Sequence, residues 1–114
     1  MGLDFEGSKA HWSYGNFKRF RCRLALEIGI DLDQMAGFAE KDGISWKDFT
    51  DPIIPLLNHS DCDGQLSPIE CARIAPRLRQ LIARWDDGYD KRQAILLAEG
   101  MESCTEAGKP LFFC

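Results

Sequence analysis

The sequence predicts a mainly α fold: residues 1–114 form a single compact helical domain of about four helices, with a helix-loop-helix at residues 51–85 and a short extended C-terminal tail. Three observations favour this fold class. Apolar residues recur at three- and four-residue spacing in several segments. Capping and stop signals bracket those segments. The sequence contains no Asn-Gly pair, which would be the signal of a tight β-hairpin. A chain of 114 residues that is 45% hydrophobic is also long enough to bury a core without metal or disulfides.

The first helix is predicted from about Asn16 to Ile28, with Gly29 as its stop. A short helical turn is expected around residues 33–38, followed by a loop through Gly43. The apolar stripe that predicts the first helix consists of Phe17, Phe20, Leu24 and Ile28.

Two helices are predicted to flank a polar loop within residues 51–85. The incoming helix is short, because the N-cap pair Asp51-Pro52 opens it and it runs only through Leu57. The outgoing helix begins at the capping box Ser67-Pro68-Ile69-Glu70, and Pro76 should kink it. Its apolar stripe consists of Cys71, Ile74, Leu78, Leu81, Ile82 and Trp85.

The last helix is predicted from about Tyr89 to Glu106, and Gly108 followed by Pro110 should end it. The apolar tail at residues 111–114 is expected to dock on the core as a short strand or an extended arm. One face of this helix carries Ala94, Leu97, Ala98, Met101 and Cys104.

Charge and composition exclude several classes of protein. The net charge is −4, and residues 24–70 carry ten acids against two bases, so we expect no nucleic-acid duplex as a partner. No apolar run is long enough to span a bilayer, and residues 1–6 lack the features of a signal peptide. We therefore expect no membrane association and a cytoplasmic location. The five cysteines are expected to be reduced thiols.

Residues 59–70 resemble the calcium loop of an EF-hand at every key position except the first. Gly64 stands at the sharp turn and Glu70 at the position of the bidentate glutamate, but His59 replaces the first aspartate. This pattern predicts, as one alternative, a degenerate EF-hand-like module with calcium as its cofactor. Its metal ligands would be Asp61, Asp63, the Gln65 carbonyl and Glu70.

The same loop has a purely structural interpretation. Ser67 and Glu70 would close the start of the outgoing helix, while Asp63 and Gly64 would form a turn. The incoming helix is also short for an EF-hand, and the chain contains no second loop of this kind. Both interpretations explain the glutamate, and the sequence leaves them open.

Two further interpretations involve the thiols of this region. His59, Cys62 and Cys71, together with Asp61, carry the imidazole, thiolate and carboxylate groups that bind zinc, although their spacing is unusual for a structural zinc site. Cys62 would alternatively be a nucleophile if His59 acted as its base.

An aromatic segment leads into an arginine-rich first helix and predicts an anion-binding pocket. Arginine offers a planar fork to phosphate, and aromatic rings stack on a base. The polar loop from His59 to Asp63 is expected to complete the pocket. In the structural alternative, Trp12 and Tyr14 pack the helix start against the core, and Arg19 and Arg23 form a solvated face. The candidate ligand-binding residues are His11, Trp12, Tyr14, Arg19, Arg21, His59 and Asp61.

Several short segments resemble a group of small proteins encoded in bacterial and phage genomes, a group with no assigned function. They are Trp12-Ser13-Tyr14, Phe20-Arg21, Leu57-Asn58-His59-Ser60-Asp61-Cys62-Asp63-Gly64, Glu70-Cys71 and Pro76-Arg77-Leu78. The resemblance covers nearly the full chain but implies no site residue. A phage origin would imply a protein that sequesters a signalling nucleotide or blocks a host protein.

We therefore expect a small non-enzymatic binding protein that sequesters an anionic small molecule such as a signalling nucleotide. The alternatives are the EF-hand-like calcium module and a protein-interaction domain that inhibits a host protein, through the acidic middle segment or through exposed Phe112 and Phe113. A homo-oligomer is compatible with each of them. An enzyme is not expected, because the chain has two histidines, no glycine-rich phosphate loop and no serine elbow.

Overall fold

A four-stranded antiparallel sheet joins the two ends of the chain, and helices pack against its buried face. The computed structural model describes residues 2–114. The fold is α+β, so the prediction of a mainly α domain is wrong. The strands are β1 (Gly2–Glu6), β2 (Ser8–Ser13), β3 (Gln65–Leu66) and β4 (Leu111–Phe113). The helices are α1 (Tyr14–Glu27), α2 (Ile54–Leu57), α3 (Pro68–Ile82) and α4 (Tyr89–Ala107).

The hairpin of β1 and β2 was not predicted from the sequence, and neither was β3. Gly7 alone separates the two strands, and its φ of +111° is a conformation that residues with a Cβ rarely adopt. Leu3 and Phe5 in β1, and Ala10 and Trp12 in β2, are buried and alternate with more exposed neighbours. This period of two is typical of a strand with one face on the core.

The C-terminal tail lies inside the sheet. The strand order is β2-β1-β4-β3, with Phe5 opposite Phe113 and Leu66 opposite Leu111. The expectation that the tail docks on the core as a short strand is confirmed. Strand β4 pairs with β1 on one side and with β3 on the other. It therefore holds the N-terminal hairpin and the loop before α3 in one sheet.

Helix α4 covers the outer edge of β2. The backbone N–H of His11 donates to Gln93 Oε1 over 2.9 Å, and the hydroxyl of Tyr89 donates to the carbonyl of His11 over 2.7 Å. Both backbone groups of this edge residue are therefore satisfied by side chains of α4, which protects the edge from pairing with another strand.

Helices α1, α3 and α4 lie close to their predicted positions because local signals fix their ends. Helix α2 begins at Ile54 without a side-chain cap, so the predicted start at Asp51-Pro52 is wrong. Ser13 caps α1 by accepting a hydrogen bond from the Asn16 N–H. The predicted capping box of α3 is present, and Gly108 ends α4 with a φ of +66°. The short turn expected at residues 33–38 is a single 3-10 turn at Leu32–Gln34. Within residues 2–114, no helix is both long and apolar enough to cross a bilayer.

The segment between α1 and α2 is folded back on itself. The backbone N–H of Ala36 donates to the Ile44 carbonyl over 2.9 Å, and Trp46 Nε1 donates to the Ala36 carbonyl over 2.9 Å. Gly43 allows this approach, because a Cβ there would lie 2.3 Å from the Ala36 nitrogen. The ring of Phe38 packs edge-on against Trp46 and is thereby held beside α1.

Candidate functional site

Three segments that are distant in sequence enclose a polar cleft of about 440 Å³. They are α1, the folded segment before α2 and the turn that follows α2. We call it the Arg21 cleft, and its lining residues are Lys18, Arg21, Gly37, Phe38, Asn58, His59, Ser60 and Asp61. It contains three of the seven predicted ligand-binding residues: Arg21, His59 and Asp61.

Arg21 is the buried charge of the cleft, with 3% of its surface exposed. Its Nη1 donates to the carbonyls of Leu57 and His59, which satisfies backbone groups at the end of α2. The rings of Phe17 and Phe38 lie 4.6 and 5.3 Å from the guanidinium carbon. Burial lowers the pKa of Arg21, and the negative charge of Asp61 opposes that effect. An arginine keeps its charge under these conditions, so a desolvated cation stands at the cleft.

The Nε of this guanidinium is buried without a partner in the described part of the chain. Among residues 2–114, the Nε of Arg21 is buried and makes no hydrogen bond. A buried donor without an acceptor costs free energy, so it marks a position where a further group would be stabilised.

The turn after α2 is held by His59. Its ring stacks on Phe113, with centroids 3.9 Å apart and planes inclined by 23°. Its Nδ1 lies 2.9 Å from the Ser60 carbonyl and its Nε2 lies 3.0 Å from the Gln65 carbonyl. Gly64, with a φ of +90°, lies close against the ring, because a Cβ there would be 3.0 Å from the imidazole carbon Cε1. His59 therefore orders the cleft wall and connects it to the sheet.

The cleft carries charges of both signs. Lys18 lies one turn before Arg21 on the same face of α1, and its Nζ is 3.1 Å from Asp33 Oδ1. Both members of this pair are about half exposed, so the pair is weak and Lys18 remains available to a ligand. Asp61 is the one carboxylate among the lining residues. Lys18 and Arg21 can therefore attract an anion, while the carboxylate of Asp61 competes with that anion for the two cations.

The other four predicted ligand-binding residues do not line the cleft. Trp12 is fully buried, stacks on Phe20 at 4.5 Å and donates from Nε1 to Asp90. His11 lies on the exposed side of β2, where its Nδ1 is 2.8 Å from Asp4 Oδ1. Tyr14 packs against the core, and Arg19 is exposed on α1 beside Asn16. The expected aromatic platform is therefore not part of this site.

The predicted calcium loop is not assembled as a metal site, which corrects the metal-binding interpretation. Glu70 Oε1 accepts the backbone N–H of Ser67 over 2.9 Å, so this carboxylate closes the capping box of its own helix. The Gln65 carbonyl faces His59 Nε2. In the part of the chain that the structure describes, no three His, Cys, Asp or Glu side chains are grouped to hold one ion, so Asp61, Asp63 and Glu70 do not converge.

The thiols do not assemble with His59 either. Cys71 is buried on α3, and burial raises the pKa of its thiol to about 11, which disfavours the thiolate that zinc needs. Cys62 is exposed and lies 3.6 Å from the hydroxyl of Ser60. Because both ring nitrogens of His59 face backbone carbonyls, His59 does not act as a base toward Cys62 in this arrangement.

The two aromatic residues of the tail have different environments. Phe113 is buried, with 3% exposure, and Phe112 is 38% exposed. The expectation that both rings are exposed for a protein partner is therefore wrong for Phe113. Strand alternation explains the difference, because neighbouring side chains in β4 point to opposite faces of the sheet.

Four cleft residues were not predicted from the sequence, namely Lys18, Gly37, Phe38 and Asn58, whereas Ser60 lies in the predicted polar loop. Lys18 had a usable signal, since it lies three residues before Arg21 in a predicted helix. Phe38 had none, because its position depends on Trp46 and on the folded segment around it.

No family model, curated protein or solved structure matches the chain. The resemblance to bacterial and phage proteins stays a prediction.

Proposed function

We propose that this protein is a non-enzymatic binding protein that takes a small anionic molecule, such as a signalling nucleotide, into the Arg21 cleft. The observation that carries the proposal is the desolvated guanidinium of Arg21, which has a buried Nε without a partner among residues 2–114. Water competes poorly for such a group, and an oxyanion forms stronger hydrogen bonds with it than with a solvated cation.

The arrangement around Arg21 fits a ligand with a negative group and a flat or apolar part. Lys18 supplies a second positive charge at the rim, while Asn58 and Ser60 supply neutral polar groups. Phe38 supplies an aromatic side chain to the wall. A volume of about 440 Å³ is within the usual range for small-molecule sites.

A structural role for Arg21 accounts for its bonds to Leu57 and His59, so Lys18 gives the cleaner test of binding. Lys18 and Arg19 are adjacent cations on the surface of α1, but only Lys18 lines the cleft. We expect Lys18→Gln to weaken anion binding about five- to tenfold, and Arg19→Gln to change it less than twofold.

The experiment is isothermal titration calorimetry of both variants and the wild type with a panel of nucleoside monophosphates, triphosphates and cyclic nucleotides. Uncharged nucleosides serve as the ligand control. Binding that needs the phosphate and Lys18, but not Arg19, supports the proposal. If no anion binds, or if both variants lose the same affinity, the proposal is wrong.

A further inference from the structure

The two edges of the Arg21 guanidinium are used differently. Nη1 is occupied by the carbonyls of Leu57 and His59. On the opposite edge, Nε is buried without a partner, and in the described residues the hydrogen bonds of this side chain all come from Nη1. The edge formed by Nε and Nη2 is therefore unpaired.

Two other arginines in this protein show what that edge binds. Arg77 donates from Nε to Asp51 Oδ1 over 3.0 Å and from Nη2 to Oδ2 over 2.7 Å. Arg79 donates from Nε and Nη2 to the two oxygens of Glu102, each over 2.8 Å. In both cases a planar oxyanion accepts two parallel hydrogen bonds from the side of the guanidinium. Arg21 has the same edge free, but in a more buried position.

Asp61 is the carboxylate of the chain best placed to occupy this edge. It lines the same cleft, and its charge acts on Arg21. It nevertheless forms no ion pair with Arg21 within 4.0 Å in the part of the chain described. The internal acid thus lies at the same cleft as the fork, yet the fork has no partner among the described residues.

We propose that the Nε–Nη2 edge of Arg21 receives two oxygens of one oxyanion group of the ligand, a carboxylate or a phosphate, and that Asp61 is an internal competitor for this edge. The inference rests on the proposed function, and it names the recognised group and the residue that limits its affinity. Because Nε lies beneath the cleft surface, entry requires a shift of the adjacent wall.

The test observes this nitrogen directly. The full-length chain, labelled with ¹⁵N, is titrated with inorganic phosphate and, separately, with sodium acetate, while the Nε–Hε signals of the arginines are followed by NMR. The Arg21 and Arg19 signals are assigned in the wild type by side-chain correlation on a ¹³C,¹⁵N-labelled sample, and the exposed Arg19 supplies the control signal. We expect a saturable downfield shift of the Arg21 signal with at least one anion and no saturable shift at Arg19. The two titrations show whether phosphate or carboxylate is preferred.

Two variants complete the test. Arg21→Lys keeps the charge but removes the fork, so we expect at least tenfold weaker binding of the preferred anion. Asp61→Asn removes the competing charge, and we expect about three- to tenfold tighter binding. Thermal melts establish that each variant is folded. If Arg21→Lys is unfolded, the wild-type Nε–Hε shift and the Asp61→Asn affinity still decide the matter.

The outcomes separate the two proposals. If nucleotides bind as proposed but neither anion moves the Arg21 Nε–Hε signal, the cleft binds through other groups and this inference is wrong. If Arg21→Lys binds the preferred anion as tightly as the wild type does, the anion does not accept two hydrogen bonds from the guanidinium. If Asp61→Asn binds no more tightly, Asp61 is not a competitor. If nucleotides, phosphate and acetate all fail to bind, the proposed function and the inference are both wrong.

Discussion

The ring of His59 stacks on the ring of Phe113, with centroids 3.9 Å apart and planes inclined by 23°. Through this contact the turn that forms one wall of the Arg21 cleft rests on the last strand of the sheet. Phe113 also packs edge-on against Phe5 at 4.9 Å. The cleft is therefore supported by a strand pairing between the two ends of the chain.

We predict that Phe113→Leu destabilises the protein, whereas Phe112→Leu does not. Leucine keeps most of the buried apolar volume at residue 113 but loses the ring contacts with His59, Phe5 and Phe17. This loss should cost about 1–2 kcal/mol. The neighbouring ring of Phe112 is 38% exposed, so the same change there should cost less than about 0.5 kcal/mol. Urea unfolding measures both free energies. Equal values for the two variants would contradict the stacking role.

A second prediction compares two glycines within helices. In α4, a Cβ on Gly100 would lie 2.4 Å from Ser8 Cβ and 2.6 Å from the Gly7 carbonyl oxygen. Gly100→Ala should therefore destabilise the protein by about 2 kcal/mol or more, because the helix must move away from the hairpin. In α1, a Cβ on Gly15 would meet nothing within 4 Å in the described structure, so Gly15→Ala should stabilise by about 0.5–1 kcal/mol.

Thermal unfolding of these two alanine variants provides the measurement, with the wild type as reference. The opposite signs are the diagnostic result, since helix propensity alone favours alanine at both positions. Stabilisation by Gly100→Ala would show that α4 does not approach the hairpin this closely.

A third prediction concerns acid unfolding. The hydrogen bonds from Arg77, together with the N–H of Ile53, hold the pKa of Asp51 below its usual value, while burial opposes them. Because the folded-state pKa lies below that of the unfolded chain, this stabilisation is fully present above about pH 4 and is lost as the pH falls through the folded value. Asp51→Asn should cost about 1 kcal/mol at pH 7 and progressively less below pH 4.

The control for this prediction is Asp48→Asn, because Asp48 is exposed on the 3-10 turn at Trp46–Asp48. Urea unfolding of both variants between pH 2 and pH 7 gives the comparison. A stability difference between Asp51→Asn and the wild type that does not change with pH would rule out the Arg77 pairing as its source.

A fourth prediction separates capping from metal binding at Glu70. Glutamine also accepts the Ser67 N–H, so Glu70→Gln should change stability by less than about 0.5 kcal/mol. Ser67→Ala removes the acceptor for the Glu70 N–H and should cost about 1 kcal/mol. Thermal melts measure both. A large loss in Glu70→Gln would mean that the negative charge itself is needed.

The helices were predictable because their signals are local. Ser13, the capping box at residues 67–70 and Gly108 act on residues only a few positions away. The sheet was not predictable in this way. The turn of its hairpin is a single glycine, Gly7. Its central strand pair places Phe5 opposite Phe113, and these residues lie at opposite ends of the sequence.

The same distinction applies to the site. Arg21 and His59 were identified by their chemistry, but the segment that carries Phe38 closes the cleft through tertiary contacts with Trp46. Trp12 was assigned to the pocket because it lies near the arginines in sequence. Strand alternation in β2 turns it into the core instead.

Whether the Arg21 cleft binds an anion can be decided by backbone NMR of the ¹⁵N-labelled wild type titrated with adenosine monophosphate. We predict saturable shifts that are largest at Lys18, Gly37, Phe38 and residues 58–61, and no comparable shift at Arg19 or Arg73. The same titration with adenosine should leave the spectrum unchanged. Shifts that centre on basic residues outside the cleft, or equal shifts with adenosine, would contradict the account.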